Sequence, residues 1–116
     1  MKCLTVQIEI NRLPDNNVQA FDEAEFLKRV HSVNRYPEID RPEIGKGDYH
    51  NDFISYNFFT EQLPELWQQL RQVLVEDADY FVTLSPVAII ACEGEQGWDD
   101  YRLLHHFDAN ETTVSI

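Results

Sequence analysis

Asp48, His50 and Asp52 alternate along the chain, so an extended segment would point two carboxylates and an imidazole the same way. Those groups suit a divalent cation, and a bound cation could activate water in a small metal-dependent enzyme. Such a site needs further ligands, and none lies nearby at suitable spacing; the plainer reading is a solvated loop. The other histidines add little. His105 and His106 are neighbours on a predicted strand and point to opposite faces, while His31 falls on a predicted helix. Cys3 and Cys92 lie inside predicted strands, with no histidine set beside either to activate a thiolate. Ser55 and Ser85 lack the glycine-framed elbow of a hydrolase nucleophile. Gly45-Lys46-Gly47 lacks the strand-to-helix setting in which glycines cradle phosphate. No catalytic residue, metal site or cofactor is expected, and the chain reads as a non-enzyme.

Charge is the stronger signal. The 116 residues carry 21 Asp and Glu against 9 Lys and Arg, a net charge of −12. That balance disfavours nucleic acid and anionic membrane and favours a basic protein. Solubility accounts for part of it, but the acids are unevenly spread. Residues 1–59 hold ten acids and seven bases, a net of −3; residues 60–116 hold eleven acids and two bases, Arg71 and Arg102, a net of −9. Glu76, Asp77 and Asp79 follow a predicted helix, where they oppose its dipole. Glu93, Glu95, Asp99 and Asp100 crowd a predicted turn, with Trp98 among them. Tryptophan is enriched at the energetic centres of interfaces. The alternative is that Trp98 folds back to cap the sheet. These eight residues, with Glu43 and Asp48 from the long loop, are the expected partner-binding set.

The elements that position them follow from periodicity. Residues 3–10 alternate, with Leu4, Val6, Ile8 and Ile10 on one side and Cys3, Thr5, Gln7 and Glu9 on a wetter one, as in a half-buried strand. Asp22 and Glu25 form the acidic variant of a capping box, and Phe21 and Phe26 take the staple positions of a helix ending near Asn34. Residues 35–52, from Arg35 to Asp52, read as a long loop. Residues 53–59 form an aromatic-rich strand, and Thr60 caps a helix whose stripe is Leu63, Leu66, Trp67, Leu70, Val73 and Leu74. Residues 82–93 read as a buried strand, with Pro86 at its start or at a bulge. Residues 87–107 form a hairpin, and residues 112–116 could add an edge strand. The order is strand, helix, strand, helix, strand, strand. The predicted fold is one α+β domain spanning residues 1–116, with two helices packed on one face of a mainly antiparallel four- to five-stranded sheet.

No apolar leader follows Met1, no run reaches membrane-spanning length, and the two cysteines read as buried, reduced thiols. The expected compartment is the cytoplasm. A monomer or weak homodimer is the expected free state.

The run SPVAIIACEGEQGWDDY, from Ser85 to Tyr101, follows the helix at residues 63–74 in a small acidic chain. In size, acidity, element order and this hairpin, the chain resembles the small acidic immunity proteins of bacterial polymorphic-toxin and contact-dependent inhibition systems. The resemblance implies a cytoplasmic protein that binds and blocks one cognate toxin domain, often a basic nuclease, and that has no catalytic residues. Two alternatives remain at this point: a nucleic-acid mimic that occupies the groove of a DNA-binding protein, and the metal-dependent enzyme built on Asp48, His50 and Asp52.

Overall fold

The structure is a computed structural model that describes residues 1–33, 43–46 and 52–116. It is an α+β fold built on an antiparallel sheet. The first strand, β1 (Lys2–Glu9), leads through short 3₁₀ turns to helix α1 (Glu23–His31). Strands β2 (Glu43–Lys46) and β3 (Asp52–Thr60) follow, then helices α2 (Leu63–Leu74) and α3 (Ala78–Leu84). A 3₁₀ turn at Ser85–Val87 leads into the hairpin of β4 (Ala88–Gly94) and β5 (Gly97–His105). The five strands lie in the order β2-β3-β1-β4-β5, every neighbouring pair antiparallel.

Register explains the core. Leu4, Val6 and Ile8 of β1 stand opposite Phe58, Tyr56 and Ile54 of β3 on one side and opposite Cys92, Ile90 and Ala88 of β4 on the other. All nine side chains are buried. Phe26 and Val30 of α1, Leu66 and Leu70 of α2, and Tyr80 and Leu84 of α3 join the same hydrophobic cluster. Each of these helical pairs is separated by four residues, so each forms one buried stripe. The opposite side of β1 is drier than its alternation predicts: Cys3 and Glu9 are both buried, and the Gln7 side chain donates to Glu9 Oε1 at 2.7 Å.

Local signals set the helix starts. Asp22 caps α1 by accepting from the Glu25 backbone N–H at 3.1 Å, and the staple residues Phe21 and Phe26 bring their rings to 5.7 Å. Only half of the box forms, because the Glu25 side chain turns to Arg29 at 2.9 Å. Thr60 Oγ1 accepts from the Gln62 N–H one residue ahead of α2, with Pro64 in the first turn.

Four expectations are corrected. The segment read as the beginning of a strand from Val82 is helix α3 and a 3₁₀ turn, and the strand starts only at Ala88. Asp77 starts α3 as its N-cap, and burial of Tyr80 and Leu84 outweighs the strand preference of Tyr80, Phe81 and Val82. Pro86 therefore sits in a turn. The loop at residues 35–52 contains β2, so the order becomes strand, helix, two strands, two helices, two strands. Helix α1 ends at His31. Residues 112–116 form no strand, although the Val114 N–H donates to the Leu103 carbonyl at the outer edge of β5.

Candidate binding surface

The β4–β5 hairpin is held by two glycines with separate jobs. Glu95 and Gln96 form its two-residue turn, both with negative φ as in a type I turn. Gly97 follows at φ +76°, the left-handed position of a glycine bulge. At Gly94 the backbone of Asp100 comes so close that a Cβ would have no room. Asp100 Oδ1 accepts from the Gln96 N–H at 2.9 Å and ties the turn to β5. Beyond the Leu4–Cys92 pair, Glu93 Oε2 accepts from the Cys3 N–H at 2.8 Å, and Lys2 Nζ donates to the Gly94 carbonyl. The Glu93 carboxylate thus extends the ladder where strand pairing stops.

Two of the four hairpin acids are therefore structural. The side chains of Glu95 and Asp99 engage no described residue and are exposed. Trp98 is 44% exposed and Tyr101 58% exposed, on the same projecting segment. Except for Gly97, every residue from Glu95 to Arg102 is exposed. Trp98 does not fold back to cap the sheet.

The other predicted acids form a different structure. Helix α2 ends at Leu74 and Asp77 caps α3, so Glu76 stands between two helices and Asp77 and Asp79 lie at the start of α3, where acids favour the dipole. Asp77 Oδ1 accepts from the Tyr80 N–H, and Asp77 Oδ2 meets Arg29 Nη1 at 2.7 Å. Arg29 also binds Glu25, donates to the Val73 carbonyl at 3.1 Å, and lies over the Tyr80 ring at 4.1 Å from its centre. The Arg29 hydrogen bond holds the Asp77 carboxyl below the usual carboxylate range, and Asp77 in turn raises the guanidinium. Glu76 pairs with Arg71 at 3.3 Å. This knot joins α1 to the α2–α3 junction. Beside it lies a groove of about 640 Å³, lined by Asp22, Glu25, Asp77, Asp79, Phe21 and Tyr80 among others.

The two acidic groups are well separated. Val87 lines the groove just before β4, whereas the turn follows the end of β4. A seven-residue strand spans about 20 Å. Of the remaining predicted residues, Glu43 has its backbone in β2 opposite Ser55. Asp48 and His50 lie outside the described residues, and so does the metal constellation they would form with Asp52. Among the described residues, no group of three or more His, Cys, Asp or Glu is arranged to hold a metal ion.

His105 and His106 go separate ways, as their alternation predicts. His105 Nε2 lies 3.1 Å from the Ser85 carbonyl oxygen and its ring stands edge-on to Phe81, whereas the His106 ring packs against Phe107. Burial holds the His105 imidazole below its ordinary value. Among the described residues, no helix is long and apolar enough to cross a membrane.

Arg29, Tyr80 and Tyr101 escaped sequence reading. Arg29 carried a usable signal in its four-residue spacing from Glu25. Tyr80 carried another, three residues after a capping aspartate. Compared with family models, with curated proteins and with solved structures, the chain matches none.

Proposed function

We propose that the chain is a cytoplasmic immunity protein that binds and neutralises a cognate, basic toxin domain, with the β4–β5 hairpin as its principal contact. One observation carries this reading: a glycine-set hairpin tip exposes Trp98 and Tyr101 beside the unengaged carboxylates of Glu95 and Asp99. Water contact at two large aromatic rings has no folding benefit, and a partner would remove it. The carboxylates would steer a basic surface toward those rings and speed its approach at low salt. The division of the acids between two ends of the sheet supports a protein partner over a nucleic-acid mimic, which needs a continuous phosphate-like row.

Growth rescue tests the function. Candidate basic toxin domains are expressed in bacterial cells with and without the chain. The proposal predicts that co-expression restores growth and that the two purified proteins form a one-to-one complex. Continued arrest, with both proteins soluble and no complex formed, would overturn it.

A further inference from the structure

One face of the sheet is covered by no described helix. Helices α1, α2 and α3 all pack on the face that carries Leu4, Val6 and Ile8. The alternate residues of the same strands point the other way. Asn57, Thr5, Ala91 and Leu103 form one continuous row across β3, β1, β4 and β5. Ser55, Gln7 and Ile89 form the next row, and Phe59 stands beside Cys3 in a third. Thr5, Gln7, Ser55, Asn57, Ile89 and Leu103 are partly exposed, and Phe59 is 45% exposed. None of these nine residues is charged, in a chain that is 26% charged and carries a net of −12. The acids that border them are engaged or marginal. The Gln7 side chain holds Glu9, the Cys3 N–H holds Glu93, and Glu43 stands opposite Ser55 in the edge strand β2.

We propose that this face is the contact between two copies of the chain, which meet sheet to sheet about a two-fold axis. Charge selects the occupant. The three rows offer a basic partner no carboxylate and an anionic partner no base. Two copies repel each other through their net charge, and that repulsion is least where the facing surfaces are neutral. The chemistry is also self-complementary. Thr5, Gln7, Ser55 and Asn57 each carry a donor and an acceptor, so a two-fold copy satisfies like with like. Phe59, Ile89 and Leu103 supply the apolar area. Area sets the strength. The eight residues of β1 run about 27 Å, and four strands about 4.8 Å apart cover about 19 Å, so the footprint is about 500 Å² per copy. A total of about 1,000 Å² is the lower bound of a specific interface, so the dimer is weak and reversible. The inference does not rest on the toxin reading, because it uses no residue of the Glu95–Tyr101 segment.

The test is sedimentation velocity on the whole chain over a concentration series, with amide NMR shifts followed over the same series. The expected result is a monomer–dimer equilibrium with a Kd on the order of 100 µM. The dimer should tighten as salt rises, because screening relieves the repulsion between two acidic chains. The shifting amides should centre on Thr5, Gln7, Asn57 and Ala91. Asn57→Asp adds one charge to the face of each copy at nearly unchanged volume and should weaken the dimer about tenfold or more. Ser55→Asp should do the same and serves if Asn57→Asp disturbs the fold. A chain that stays monomeric up to about 1 mM, shifts confined to the Glu95–Tyr101 segment, or an unchanged Kd in the charge variant that keeps its fold would overturn the proposal and leave the toxin reading standing.

Discussion

Gly94→Ala is the sharpest test of how the hairpin is held. A Cβ at this position meets the Asp100 backbone carbonyl and lies 2.5 Å from Asp100 Oδ1. Comfortable non-bonded separations are about 3.5 Å, so the carboxylate must retreat by about 1 Å and β5 must move away from β4. The carboxylate also holds the Gln96 N–H, so its retreat weakens the turn as well. Overpacking of this kind costs about 1–3 kcal/mol, and the backbone nature of the clash argues for about 2 kcal/mol. For a chain of this length that lowers Tm by about 8 °C. Gly97→Ala should cost less, about 1 kcal/mol, because its penalty is the left-handed φ alone. Urea unfolding followed by Trp fluorescence reads both. NMR contacts between Cys92 and Arg102 report whether the register survives. A Gly94→Ala protein as stable as the parent, with that register intact, would refute the close-approach argument.

Alkaline titration and oxidation supply two further checks. Burial pushes the Tyr80 hydroxyl up to about 12 from its ordinary value of 10.0. The folded state therefore keeps a proton that the unfolded chain releases, so the Tyr80 contribution is complete below pH 10 and is lost as pH rises toward 12. Tyr80→Phe should flatten that part of the stability profile, by about 2–3 kcal/mol at most, and an unchanged alkaline slope would contradict it. Cys3 and Cys92 should not form a disulfide on treatment with diamide. Leu4, not Cys3, pairs with Cys92, so the two thiols fall on opposite faces of the sheet. A Cys3–Cys92 crosslink found by mass spectrometry in the folded protein would contradict the register.

The sequence revealed those elements whose local and long-range preferences agree. β1 alternates because the face carrying Leu4, Val6 and Ile8 packs with the helices in the core, and α2 repeats leucine because one stripe is buried. The Glu95–Gly97 turn was legible because glycine chemistry is local. Helix α3 was not, because Tyr80, Phe81 and Val82 prefer strands, and only the shape of the core decides otherwise. The same error disguised Asp77. Read as an acid stranded at a helix end, it is the cap of the next helix and the partner of Arg29, 48 residues away in the chain. Exposure of Trp98 was equally illegible, since a tryptophan beside a turn can fold inward or outward with the same local sequence. Among the hairpin acids, Glu93 and Asp100 have backbone partners, which leaves Glu95 and Asp99 for the proposed contact.

The central claim is that Trp98 and its two free carboxylates form the contact with a basic toxin domain. The most direct measurement is stopped-flow association and dissociation with the purified cognate toxin domain, across a salt series. Trp98→Ala should speed dissociation about 30-fold, equivalent to about 2 kcal/mol, with association little changed. Glu95→Gln with Asp99→Asn should slow association and flatten its salt dependence while the hairpin stays folded. Rates unchanged in both variants, or parental association indifferent to salt, would contradict the claim.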